Sequence, residues 1–142
     1  MARPVPGLEA DEPVLVRMTV TFRGALAAST RGLGFMSSRG RIKHFTSWAA
    51  HAEHVGFPAV KPEMVIGVTD RRIAVWRPSF WFGRPVELVG TVPFEQLAQV
   101  EVYRAGLAVG LVFLFKTGEL VEVESMRARR MREIRDAVQP QL

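Results

Sequence analysis

From Val14 the chain alternates, with Val14, Val16, Met18, Val20 and Phe22 on one side and Leu15, Arg17, Thr19 and Thr21 on the other. A two-residue period in a segment rich in β-branched residues predicts a half-buried strand over 14–22. Shorter strand patterns follow at 64–69, 72–77, 86–92, 98–104, 107–115 and 120–124. Asp70–Arg71 predicts a tight turn, because the Asp carboxylate can bond backbone two residues on. Gly118 suits the hairpin turn before 120–124, since glycine accepts positive φ. Pro93–Gln96 reads as one helical turn, and in 98–104 the expected inward set is Ala98, Val100 and Val102. After Ser125, read as an N-cap, the period changes. Met131, Ile134 and Val138 form a narrow apolar stripe, which predicts an amphipathic helix flanked by Arg130 and Arg135.

Two regions lack this order. Residues 1–13, with Pro4, Pro6 and Pro13, predict an irregular leader, and 29–43, rich in Gly, Ser and Arg, a mobile loop. Thr46 or Ser47 can cap a short helix near 47–54 with an inward stripe of Trp48, Ala52 and Val55, closed by Gly56.

At 142 residues and 48% hydrophobic, the chain has the size and composition of one globular domain. No apolar run reaches the length of a transmembrane helix; Gly106–Phe115 is the longest and suits a buried strand. The N-terminus lacks the apolar core of a secretory signal. With no cysteine, disulfides, thiolate zinc sites and a Cys nucleophile are excluded. A cytoplasmic chain, peripheral at the inner face of the membrane, is the expected location.

The net charge of +5 is unevenly placed. Residues 13–52 hold Arg17, Arg23, Arg31, Arg39, Arg41 and Lys43 without one Asp or Glu. Residues 126–142 carry five Arg against Glu133 and Asp136, while 64–125 is nearly neutral. Such segregation suits a surface that meets anions, although solvated faces also carry long basic side chains. Lysine occurs only at 43, 61 and 116. The arginine excess fits either coding bias or arginine's bidentate grip on phosphate and carboxylate.

The run Val65-Ile66-Gly67-Val68-Thr69-Asp70-Arg71-Arg72-Ile73, the corner Val92-Pro93-Phe94-Glu95-Gln96-Leu97-Ala98-Gln99-Val100, the turn at Thr117-Gly118 and the closing helix occur in this order. In that order they resemble the bacterial pleckstrin-homology-like families, including GRAM-type domains. The resemblance implies a mainly β (α+β) fold: a bent antiparallel β-sandwich or partial barrel of about seven strands, capped by the C-terminal helix. It implies a single domain over 14–142, with 23–63 as an insertion. It also implies a non-enzymatic binding module with no cofactor.

His44, His51 and His54 lie at helical spacing and point roughly one way. Metal ligation would need three or four such groups; packing or surface roles are the plainer account. Gly32, Gly34 and Gly40 beside Arg31, Arg39 and Arg41 could cradle a phosphate or simply form a flexible connection. Phe80, Trp81 and Phe82 cannot all point inward from an inter-strand connection, so at least one ring either wedges into a partner or folds back over the barrel end. Glu87, Glu101, Glu122 and Glu124 are expected to point outward into solvent, which leaves no carboxylate pair for catalysis. Aromatics are not interleaved with arginines on one strand face, which points away from nucleic acid.

The expected contact set for a protein partner or an anionic phospholipid surface is therefore Arg39, Arg41 and Lys43, with Trp81 and Phe82 as apolar anchors. A structural or assembly subunit, homo- or hetero-oligomeric, is the alternative. A metal-dependent enzyme using the histidines is the third reading.

Overall fold

The computed structural model describes residues 5–23, 38–59, 61–79 and 84–142, with 38–42 and 105 described through their backbone alone. Seven strands form one antiparallel sheet: β1 Val14–Phe22, β2 Glu63–Thr69, β3 Arg72–Pro78, β4 Pro85–Pro93, β5 Leu97–Ala105, β6 Ala108–Phe115 and β7 Leu120–Ser125. Their spatial order is β4-β3-β2-β1-β7-β6-β5. Two meanders thus meet at β1 and β7, and the sheet bends into a partial barrel that stays open between β4 and β5.

The turn chemistry is partly as expected. Gly118 has φ 93° and its N–H bonds the Phe115 carbonyl at 2.9 Å. At Asp70–Arg71 the bracing group is the preceding threonine. Thr69 Oγ1 accepts the N–H of Arg71 and of Arg72, each at 3.1 Å, while Asp70 pairs with the Arg71 guanidinium. Phe94–Gln96 is the helical turn between β4 and β5. A register shift between Leu97 and Gln99 rotates the start of β5, so Leu97 and Val100 are buried and Ala98 is exposed, against expectation. On β6, a Cβ added to Gly110 would lie 2.3 Å from the Tyr103 ring, so glycine lets the aromatic lie flat across the neighbouring strand.

Helix α1 spans Ser38–Val55 and begins nine residues before the capped start expected at 47. Arg39, Gly40, Arg41 and Lys43 are therefore helical, not part of a loop. Thr46 and Ser47 are exposed positions inside the helix. Tertiary packing accounts for the longer helix: Phe45 and Trp48 lie 5.5 Å and 6.3 Å from the fully buried Phe22. Contacts of this kind override weak local propensity. The expected stop holds, with Gly56 at φ 107° bonding back to Ala52 O.

Helix α2 spans Ala128–Val138 and closes one end of the barrel. Met131, Ile134 and Val138 are each fully buried, in one core with Val16, Val20, Ile66, Leu111 and Phe113. Ser125 does not cap the helix; its Oγ accepts the Arg127 N–H at 3.0 Å and turns the chain out of β7. No helix among the described residues is long and apolar enough to cross a membrane.

Because α2 enters the core through three side chains, Ile134→Ala should destabilise the fold by about 3 kcal/mol. Urea unfolding followed by tryptophan fluorescence measures this; a loss near zero would mean that α2 is not integral to the core.

Candidate functional site

The sheet's outer face at β2 and β3 is closed by residues 5–13. Val5, Leu8, Val14 and Leu88 pack on Val65, Ala74 and Trp76, and Trp76 Nε1 donates to the Pro6 carbonyl at 2.8 Å. The segment is tied down by Glu12, whose side chain is fully buried. Its carboxylate accepts from Thr69 Oγ1 at 2.7 Å and from Arg72 Nε and Nη2 at 3.0 and 2.9 Å. The Glu9 N–H adds a fourth donor at 3.2 Å. The Arg72 guanidinium, with help from Thr69, holds the Glu12 carboxyl down at about 2 despite its burial. With its acceptor oxygens this fully engaged, the group serves as an anchor. The Thr-Asp-Arg-Arg run that carried the family resemblance is thus the receptor of the leader.

On the far side, α1 covers the seam where β7 and β1 part. Trp48 Nε1 donates to Glu122 O at 2.8 Å, and His51 Nε2 donates to Leu120 O at the same distance. His44 Nε2 meets Arg23 O at 3.1 Å, and His54 Nε2 lies 3.8 Å from Glu119 Oε1. The histidines thus engage separate partners along the strand ends. Among the described residues no group of three His, Asp or Glu is placed to hold a metal ion.

Two carboxylates expected in solvent are not there. Glu124 is 1% exposed, because β7 is flanked by both β6 and β1 at that point. Glu122 is largely covered: Tyr103 OH donates to its Oε2, and Arg23 Nε lies 3.2 Å from the same atom. Burial, then the adjacent Glu122, pushes the Tyr103 hydroxyl above its ordinary pKa.

Of the five contact residues expected from sequence, Lys43 is exposed on α1. Arg39 and Arg41 share its first turns, with side chains outside the described set, and Trp81 and Phe82 lie outside the described residues. The positive surface the structure does describe is centred on α2. At about 100° per residue, the core stripe leaves Arg129 and Arg132 pointing outward and Arg130 and Arg135 on opposite flanks. Arg129 is 89% exposed, and Glu133 lies 3.5 Å from Arg129 and 2.8 Å from Arg130, leaving the helix with net positive charge.

Arg130 also lines a shallow cavity of about 340 Å³ with Val14, Leu15, Val16 and Arg17 of β1. Leu15 is 54% exposed there. Sequence reasoning missed this groove: the strand is visible in the pattern, but the helix beside it follows from topology. No protein-family model and no curated protein matches the chain.

The Glu12 anchor sets a pH dependence. Its folded pKa lies below the unfolded value, so the stabilisation is complete above pH 4.5 and is lost as pH falls toward 2. The expected loss is on the order of 2 kcal/mol, allowing for the partial exposure of Arg72. Glu12→Gln should lower stability at neutral pH and flatten the acid limb, leaving the smaller contribution of Asp11, which Arg71 also depresses. Denaturant midpoints across this range check it; parallel acid limbs in both proteins would refute the anchor.

Proposed function

We propose that this chain is a non-enzymatic, pleckstrin-homology-like binding module that docks an anionic protein partner through the basic face of α2 and β1. The strand order supports the family reading: two meanders joined through β1 and β7, with a C-terminal helix closing the barrel. The observation that carries the docking reading is the meeting of Arg17 and Arg130 at one groove, beside a helix with net positive charge. Arg127, Arg129 and Arg132 are exposed at the start of α2 and along it, with Glu133 as the acidic neighbour of Arg129 and Arg130. A field of one sign attracts and orients ligands of the other.

Two covered carboxylates with named partners fit the non-enzymatic reading. Glu12 is engaged by Arg72 and Thr69, and Glu122 by Tyr103 and Arg23. Lys43, exposed on α1, is kept as a further contact in this proposal, with Arg39 and Arg41 on the same helix and Trp81 and Phe82 proposed as apolar contacts. A cytoplasmic setting, peripheral at the inner membrane face, is part of the same proposal.

The protein should be retained on immobilised polyglutamate at about 50 mM salt and released as screening increases. Arg129→Glu with Arg132→Glu should shift elution to markedly lower salt. Retention that ignores both salt and charge reversal would overturn the reading. Binding to phosphatidylserine vesicles without retention on polyglutamate would move the partner from protein to membrane.

A further inference from the structure

The sheet's margins are treated unequally. On β5 the Val100 N–H is met by Gln139 Oε1 at 3.0 Å, and the carbonyls of Leu120 and Glu122 on β7 are met by His51 and Trp48. β4 begins and ends in proline, which cannot donate to an added strand. β1 differs. It pairs with β2 along Val14–Thr21 but with β7 only at Thr21 and Phe22. The side of Val14–Thr19 turned away from β2 has no strand beside it among the described residues; α2 packs against β1, and the groove of about 340 Å³ opens beside Val14–Arg17.

We propose that this margin of β1 is a peptide-docking edge that accepts an extended acidic segment as an added strand. The inference rests on the anionic-partner reading above and specifies its site. An edge from Val14 to Thr19 spans about 20 Å, the length of a six-residue strand. The backbone of β1 supplies main-chain hydrogen bonds, as in other strand-addition complexes. Exposed Leu15 offers an apolar contact, and the irregular register between Val14 and Val16 sets it at the groove. Arg17 on the strand and Arg130 on the helix flank the groove and select for carboxylates. The charged side chains lining the groove are Arg17 and Arg130. Arg130 is shared with Glu133 at 2.8 Å, whereas Arg17 is exposed with no acidic partner among the described residues, so Arg17 supplies the groove's uncompensated positive charge. Alternating acidic and β-branched residues fit both the charge and the pleat.

The test uses the full chain and a fluorescein-labelled hexapeptide of alternating Glu and Val. Its controls are the Lys–Val counterpart and an acidic version N-methylated at alternate residues. The acidic peptide should bind at least tenfold more tightly than either control and shift the amide resonances of Val14–Thr19. Arg17→Glu and Arg130→Glu, both at exposed positions, should each weaken it about tenfold with the fold intact by circular dichroism. Equal binding of the N-methylated peptide, or resonance shifts confined to other elements, would overturn strand addition while leaving anionic docking in place. Failure of both the hexapeptide and polyglutamate to bind would overturn both.

Discussion

β7 pairs with β1 through Thr21–Glu124 and Phe22–Val123 and then leaves it, because Ser125 and Arg127 turn the chain into α2. A sheet that separates at this point carries two costs, an exposed core and unpaired backbone groups. The surrounding elements answer both. Met131, Ile134 and Val138 of α2 fill the open barrel end. From the other side, α1 sends Trp48 and His51 to the β7 carbonyls that β1 has left. The aromatic contacts of Phe45 and Trp48 with Phe22 then hold α1 against the seam.

A second consequence concerns the outer face of β2 and β3. These strands are buried on both sides, their outer face sealed by residues 5–13 through Trp76 and the Glu12–Arg72 pair. A short irregular segment buries little apolar area, so a buried, fully hydrogen-bonded carboxylate is an effective way to fix it. The groove of β1 lies between that sealed face and the basic helix. Its chemistry therefore comes from both: strand backbone on one wall and a guanidinium on the other.

Much of this architecture was legible in the sequence. β1, β5 and β7 follow from a two-residue period and the stripe of α2 from a helical one, while β2, β3 and β6, covered on both faces over most of their length, show as apolar runs between turns. The exceptions have physical causes. The early start of α1 depends on Phe45 and Trp48 finding Phe22, a contact between distant segments that local capping signals at Thr46 and Ser47 could not reveal. Ala98 was misplaced because a register shift changes the face after Leu97. Glu124 looks outward in an alternating strand, yet it is buried where β1 and β6 flank it. Glu12 gave no sign of its role, since its partners Thr69 and Arg72 lie about 60 residues away. The expected contact set shared this limit: it followed charge density along the chain, whereas the groove arises where Arg17 and Arg130 come together in space.

Over Val14–Thr19, β1 has one margin paired with β2 and one with no strand beside it among the described residues. Amide hydrogen exchange resolved by residue tests this most directly. The N–H groups of β1 that face β2 should be strongly protected, and those facing the α2 side should exchange at least a hundredfold faster, giving an alternating pattern that vanishes at Thr21 and Phe22. Uniform strong protection across Val14–Thr19 would contradict the claim, because the margin would then already be occupied.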